Sequence, residues 1–202
     1  MKRIDWLFLF ALISSSCTNK SETQIPRYRA KLYKADTVDL RAVAKDKITF
    51  LTIWSIFCEP YLKELPELQT LYTHYKSNHQ ITFVTLALNT EAELTDFTSP
   101  TTHTPSMYQK AFNYSGLTRF ALPSLIGSRS AYHIEKGNAR LSDVKAVNRL
   151  KHLFTFDAIP ISRIYDPEGK LIFEQRGVDT SPVGLGKYRL HLMRKLDSLT
   201  AL

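Results

Sequence analysis

Two runs of apolar residues in the first half of the chain predict buried β-strands. They span 47–54 (KITFLTIW) and 81–88 (ITFVTLAL) and are rich in β-branched and aromatic side chains. Between them, leucines and tyrosines from Leu62 to Tyr75 recur at helical spacing, after Pro60, whose missing N–H suits a first helical turn. Strand, helix and strand over this length predict a right-handed βαβ unit with two parallel neighbouring strands.

The second half of the chain predicts a hairpin between two helices. An apolar stripe over 141–154 predicts a helix. Residues 161–165 and 170–173 flank the turn sequence of 166–169 (DPEG), which predicts an antiparallel pair of strands. The remaining patterns predict shorter elements, namely a strand and turn over 37–43, a helix over 108–114 and a closing helix through Tyr188, Leu192 and Leu196.

The composition is that of a globular protein with enough apolar mass for one sizeable core. The chain has 202 residues, of which 44% are hydrophobic and 23% charged, and a formal net charge of +8. Lysine and arginine are scattered, and the sequence has no basic tract, glycine-rich phosphate loop or nucleic-acid-binding motif. We therefore interpret the charge as an ordinary basic surface and expect no nucleic-acid partner.

The numbers and spacings of cysteine and histidine limit which disulfides and metal sites can be expected. Cys17 and Cys58 are the only cysteines, so a framework of internal disulfides is not expected. The six histidines do not follow the ligand spacings of zinc sites. We therefore predict neither a metal nor another cofactor.

The first seventeen residues have the order of a secretory signal. Lys2 and Arg3 precede an apolar run over 6–13, and three serines then lead to Cys17. The run is far shorter than the roughly 20 residues that span a bilayer as a helix. A cysteine directly after small residues resembles the bacterial lipoprotein signal, in which that cysteine carries lipid and anchors the protein to a membrane.

This resemblance implies a location in the cell envelope, facing the periplasm or the cell surface. One departure is Ser14, which stands three positions before the cysteine where that signal usually has leucine. The alternative is an ordinary cleaved signal that leaves Cys17 as a free thiol. In both cases we predict a signal over 1–17, a polar tether over 18–32 and one folded domain over 33–202.

The segment from Trp54 to Pro66 (WSIFCEPYLKELP) carries the most specific motif of the chain. It resembles the active-site segment of TlpA/ResA-type thiol-disulfide oxidoreductases, where a tryptophan and three residues precede Cys-x-x-Cys and a Lys-Glu-apolar-Pro stretch follows. Ile159-Pro160, just before the hairpin, resembles the cis-proline that lies against the active-site cysteine of that family. The resemblance implies a thioredoxin-like α/β fold, with a central mixed sheet flanked by helices and an insertion over about 98–138, between the second core strand and the helix before Pro160.

The resemblance also implies a site. Cys58 would be the catalytic thiol, and the substrate-binding residues around it would be Trp54, Glu59, Pro60, Tyr61, Ile159 and Pro160. A helix N-terminus stabilises a thiolate, so we expect a lowered pKa for Cys58, opposed in part by the charge of Glu59. The second cysteine of the family motif is Tyr61 here, so a mixed disulfide on Cys58 would persist until an outside thiol arrives.

Three interpretations of Cys58 stay open at this point. It is a single-cysteine redox site for protein thiols or disulfides of the envelope, or a relic in a binding or scaffold module. The third is a thiol peroxidase, a class whose motif Ser55 fits and Leu51 does not. Glu91, just after the second strand, is a candidate proton carrier near the thiol, with a solvated loop carboxylate as the alternative.

Overall fold

The computed structural model describes residues 24–129, 132–135, 138–141 and 144–201. The predicted signal and Cys17 lie outside these ranges. The strands are β1 (Arg29–Lys31), β2 (Thr37–Asp39), β3 (Ile48–Trp54), β4 (Ile81–Ala87), β5 (Ser124–Ile126), β6 (Tyr132–Glu135), β7 (Asn138–Leu141), β8 (Ile161–Tyr165) and β9 (Leu171–Arg176). The helices are α1 (Leu40–Ala44), α2 (Glu59–Tyr75), α3 (Glu91–Thr98), α4 (Ser106–Ser115), α5 (Val144–Phe154) and α6 (Pro182–Thr200).

A mixed five-stranded sheet in the order β5-β4-β3-β8-β9 forms the centre of the domain. β3 and β4 are parallel neighbours, with Trp54 opposite Ala87, as the βαβ pattern predicts. β8 pairs antiparallel with the other side of β3, and β9 returns beside β8 as the predicted hairpin. β5 extends the sheet by pairing parallel with β4, so the segment 98–138 contributes a strand to the sheet.

Both faces of the sheet are covered at its centre, since every residue of β3 is buried. Phe50 and Trp54 point into one apolar cluster, which α2, α3, α4 and α6 cover. Leu51 and Ile53 point into the second cluster, on the face covered by α1 and α5. This alternation of neighbouring side chains between two cores explains why the strand sequence is continuously apolar.

Four helices, α2, α4, α5 and α6, correspond to predicted helices with one error of extent, whereas α1 and α3 were not predicted as helices. α2 begins after Cys58 and continues through Pro66 to Tyr75, with Pro60 in its first turn. α4 covers the helix expected over 108–114. α5 starts only at Val144, since Leu141 belongs to β7 instead of to the predicted helix.

The folded domain begins earlier than the sequence pattern predicts. Gln24 forms a bridge with Lys170, and the N–H of Ile25 donates to the carbonyl of Gly169 at 2.8 Å. Ile25 and Ala30 are buried in the second apolar cluster. The tether expected over 18–32 is therefore wrong for residues 24–32. Within the described part of the chain, no helix combines the length and apolarity that crossing a membrane requires.

Candidate functional site

The topology of the sheet brings Cys58 and Pro160 together. β3 and β8 are antiparallel neighbours with Ile53 opposite Ile161, so the end of β3 lies beside the start of β8. The peptide bond between Ile159 and Pro160 is cis. The Sγ of Cys58 lies 3.6 Å from the carbonyl oxygen of Ile159, to which it donates a weak hydrogen bond. The candidate thiol and the candidate cis-proline thus form one site.

Cys58 is the N-cap residue of α2, and its side chain is half-buried. Burial raises the pKa of its thiol, the backbone N–H of Tyr61 lowers it, and the carboxyl of Glu64 raises it. The net pKa shift is upward, so the expectation of a lowered pKa is wrong. The helix N-terminus acts as expected on the thiolate, but the loss of water around the sulfur outweighs it.

Glu64 is a buried carboxyl that matches the glutamate of the Lys-Glu-apolar-Pro stretch but was not among the predicted site residues. Its side chain is 1% exposed, and burial raises its pKa to about 8. Its Oε1 atom has no hydrogen-bond partner among the described residues. The stripe of Tyr61, Leu65 and Leu68 places position 64 on the inward side of α2, and this signal could have identified it.

Tyr61 occupies the position of the family's second cysteine and belongs to the core. It is 0% exposed, and its ring stacks on that of Trp54 with 4.8 Å between the centroids and 23° between the planes. Burial and the charge of Glu64 raise the pKa of its hydroxyl well above the ordinary value. Thr52 opposes this shift, but no hydrogen bond of acceptable geometry from the described residues reaches the Tyr61 hydroxyl.

Trp54 is also fully buried, and its Nε1 donates to Thr85 Oγ1 at 3.2 Å. The predicted substrate-binding roles of Trp54 and Tyr61 therefore need correction, because neither side chain reaches the surface on which a protein substrate would lie. Both rings form the wall behind Cys58. Ile159 is half-buried, whereas Glu59 and Pro60 are exposed and remain available for contact.

A chain of hydrogen-bonded hydroxyl groups lies on the core side of Cys58. The Tyr188 hydroxyl donates to Ser162 Oγ at 2.9 Å, and Ser162 Oγ donates to Thr52 Oγ1 at 3.2 Å. Burial, followed by the charge of Glu64, raises the pKa of Tyr188. Together with Tyr61 and Glu64, these residues make a buried polar cluster on the core side of the thiol.

The helix α4 forms the outer rim of the site. The hydroxyl of Tyr114 donates to Oε1 of Glu59, and the Lys63 ammonium lies 3.7 Å from the centroid of the Tyr114 ring. Tyr114 is 39% exposed. This contact could not be predicted because it joins two residues that are far apart in the chain, and a short aromatic stretch gives no sign of which surface it borders.

Two other candidates have local structural roles. Glu91 is on the surface, where its Oε2 atom pairs with the Lys31 ammonium at 2.6 Å, and this bond lowers the pKa of its carboxyl. This position favours the solvated-carboxylate alternative over a proton carrier. Ser55 Oγ accepts a hydrogen bond from the N–H of Phe57 at 3.2 Å, which stabilises the turn before Cys58. In the described ranges, no group of three or more potential ligand side chains is arranged to hold a metal ion.

No family model matches the sequence, and no curated protein matches it significantly. The structure is similar to that of a candidate thiol:disulfide interchange protein DsbE from Chlorobium tepidum, with 12% identity, a TM-score of 0.55 and coverage of 88% of this chain and 96% of the other.

Two further solved structures agree with this result. A thiol-disulfide oxidoreductase from Bacteroides fragilis has 14% identity and a TM-score of 0.51 over 83% of this chain and 98% of its own. DsbF of MTB, solved in mixed oxidized and reduced forms, has 16% identity and a TM-score of 0.52 over 86% and 95%. The chain therefore has the thioredoxin-like fold.

Proposed function

We propose that this protein exchanges disulfides with protein substrates in the cell envelope through Cys58 alone. The observation that carries the proposal is the position of its sulfur, at the start of α2 and 3.6 Å from the carbonyl of Ile159 beside the cis bond to Pro160. The solved structures of similar fold whose names describe thiol-disulfide chemistry support the same class of reaction.

The proposed reaction has two exchange steps. In the first, the Cys58 thiolate attacks one sulfur of a substrate disulfide, forms a mixed disulfide and releases the other sulfur as a thiolate. In the second, an external thiolate attacks the substrate sulfur of the mixed disulfide and frees Cys58. The substrate sulfur and the external sulfur end as a disulfide, so the protein is neither oxidised nor reduced overall.

Tyr61 requires the second step to be intermolecular. In a Cys-x-x-Cys site the second thiol would displace the substrate, but a phenol that is fully buried against Trp54 has no such chemistry. The lifetime of the mixed disulfide therefore depends on the supply of an outside thiol. An extended substrate segment would approach the thiol alongside half-buried Ile159, the residue that precedes the cis bond.

Glu64 is the proposed modulator of the Cys58 thiol. Burial raises its pKa to about 8, so its carboxyl is mostly protonated and uncharged at neutral pH. Once ionised, its negative charge raises the pKa of Cys58, so the two groups do not easily carry charge together. Ionisation of Glu64 is thus expected to oppose formation of the Cys58 thiolate.

The location in the envelope is also part of the proposal. It rests on the signal-like order of residues 1–17, with Cys17 as the lipid-bearing residue. Six residues, 18–23, would then connect the lipid to the first described residue, Gln24.

A redox-inactive binding or scaffold module is the second candidate. It is favoured by the raised pKa of Cys58 and by the conversion of position 61 into a core residue. The peroxidase alternative has weaker support, since the Ser55 hydroxyl accepts from the N–H of Phe57 instead of contacting the Cys58 sulfur.

Capture of mixed disulfides in cells separates these candidates. Cells that make the full chain are quenched with acid, their free thiols are blocked, and adducts are resolved without reductant. We expect reductant-sensitive adducts with protein partners that disappear in Cys58→Ser. The absence of adducts from the unaltered chain, with an unchanged cellular phenotype in Cys58→Ser, would support the scaffold candidate instead.

A further inference from the structure

A cleft of about 710 Å³ lies between the β1–β2 hairpin, the end of β5 and α5. It is on the sheet face opposite to α2 and α6, because α5 packs into the second apolar cluster. The described residues that give it its chemical character are Arg29, Lys31, Arg129, Arg149, Leu150 and Leu153. We call it the basic cleft.

The charge of the basic cleft is not balanced by its described lining, which contains no aspartate or glutamate. Lys31 is paired with Glu91 at 2.6 Å. The exposed guanidinium groups of Arg29, Arg129 and Arg149 have no ion-pair partner among the described residues. Like charges gathered around one cavity repel each other, and an anionic ligand would relieve that repulsion.

Three other arginines of the domain are ion-paired. Arg163 pairs with Glu174 at 2.8 Å, Arg176 with Asp157 at 2.6 Å, and Arg189 with Glu67 at 2.7 Å. Further exposed arginines in the described part of the chain lack an ion pair too, but none of the three cavities with volumes of about 190, 300 and 500 Å³ is lined by more than one arginine. What distinguishes the basic cleft is that three arginines without ion-pair partners in the described ranges line one cavity.

The floor of the basic cleft is apolar. Leu150 is buried, but Leu153 is 42% exposed. Half-buried Ile126 lines the same cavity. A ligand that fits this surface carries both negative groups and apolar side chains, as an acidic peptide segment with leucine or phenylalanine does.

The basic cleft lies at the same end of the sheet as the thiol. Ile126 pairs with Ala87, and Ala87 pairs with Trp54, so the three residues form one row across β5, β4 and β3. Two strand spacings separate the ends of this row by about 10 Å. Cys58 comes four residues after Trp54, and α5 ends five residues before Ile159, whose carbonyl contacts the Cys58 sulfur.

The chain enters the domain at the opposite end. Gln24 pairs with Lys170 in the turn after β8, and Tyr165 lies opposite Thr49 at the start of β3. The length of β3 therefore separates this entry point from the thiol end, about 20 Å at strand rise. Gln24 therefore lies at the end of the sheet away from both the basic cleft and the thiol.

We propose that the basic cleft binds an acidic segment of the client protein whose sulfur reacts at Cys58. This rests on the proposed function, since it names the class of client. The arginines hold the carboxylates, the leucines contact the apolar side chains between them, and the bound segment raises the local concentration of the client's sulfur at the thiol.

Peptide binding to the Cys58→Ser protein tests the basic cleft without any redox step. The probe is a cysteine-free fluorescent peptide that alternates glutamate and leucine, measured by anisotropy. We expect Arg129→Gln with Arg149→Gln to weaken binding about tenfold, and Arg129→Lys with Arg149→Lys to retain most of it. The control Arg194→Gln with Lys195→Gln removes the same charge on α6 and should leave binding unchanged.

Equal binding of a lysine–leucine peptide, equal weakening by the α6 control, or binding of anionic phosphatidylglycerol vesicles but not of the peptide would overturn the proposal. The link to Cys58 is measured separately, as the rate at which the unaltered site reacts with an activated disulfide on the acidic peptide and with a small neutral disulfide. If neither reacts, the proposed function fails while the binding result stands. If both react equally fast, the proposed role of the cleft in client selection fails.

Discussion

Cys58 and Tyr61 lie one turn apart at the start of α2, but their surroundings differ in every respect that matters for chemistry. The sulfur of Cys58 is half-buried and contacts the carbonyl of Ile159 beside the cis bond. The ring of Tyr61 is completely buried and stacks on Trp54. Cys58, at the first position of the motif, is half-buried beside the cis bond, whereas Tyr61, at the second position, is part of the core.

This difference implies that the two positions support different properties of the protein. Substitution at position 61 should change stability, and substitution at position 58 should change reactivity. Glu64 connects the two, because its charge acts on both the Cys58 thiol and the Tyr61 hydroxyl. Variants at these three positions test this division.

Tyr61→Ala is expected to have the largest effect on stability. It removes a fully buried ring from its contact with Trp54, and large aromatic-to-alanine changes in cores cost about 3–5 kcal/mol. Chemical denaturation measures the free energy of unfolding. Tyr114→Ala, at an exposed ring, is the control and should cost far less. Similar losses in the two variants would contradict the core assignment of Tyr61.

Glu64 is expected to make the domain less stable as pH rises. Its pKa is about 8 in the folded protein against an ordinary 4.5, so between these values the folded state keeps a proton that the unfolded chain has released. The contribution of Glu64 to the free energy of unfolding is therefore highest below pH 4.5. It falls by a few kcal/mol as the pH rises from 4.5 to about 8, and then levels off. Unfolding at several pH values should show this slope. Glu64→Gln should remove it, whereas Glu67→Gln should not.

The reactivity of Cys58 should also depend on the Glu64 carboxyl. Because burial raises the pKa of the thiol, alkylation by iodoacetamide is expected to rise with pH to a midpoint above that of an ordinary cysteine. Glu64→Gln should lower this midpoint. The rates of the two proteins should separate only above about pH 8, where Glu64 is ionised. Mass spectrometry of the Cys58 peptide gives the rate without interference from Cys17. Identical pH profiles of the two proteins would show that Glu64 does not affect the Cys58 thiol.

Tyr61→Phe is expected to have the smallest effect. The hydroxyl that it removes is buried and has no hydrogen-bond partner among the described residues, so its loss should leave stability unchanged or increase it by up to about 1 kcal/mol. The free energy of unfolding of this variant is compared with that of Tyr188→Phe, which loses a hydrogen bond to Ser162 and should be destabilised. A clear destabilisation by Tyr61→Phe would reveal a partner for the hydroxyl.

The sequence allowed the central part of this fold to be predicted because its signals are local. The runs that became β3 and β4 are long and apolar, and the turn over 166–169 has residues that favour it. The juxtaposition of Cys58 and Pro160 followed from the family motif and the predicted order of strands.

What could not be predicted depends on tertiary packing. β5 has three residues, too few to show a period, and it is defined by pairing with β4. α3 was missed although Thr90 and Glu93 form a capping box that the sequence already displays. The pKa of Cys58 was predicted with the wrong sign because a helix N-terminus is visible in the sequence, whereas the burial of the sulfur and of Glu64 is not.

Cys58 is proposed to form a mixed disulfide that the protein cannot resolve by itself. The most direct test is to react the chain with a peptide carrying an activated disulfide, remove excess reagent, and follow the Cys58 adduct by mass spectrometry. We predict that the adduct of the unaltered chain persists until glutathione is added, whereas the Tyr61→Cys variant releases the peptide unaided and forms a disulfide between Cys58 and the introduced thiol. Spontaneous release from the unaltered chain, or no adduct at all, would contradict the account.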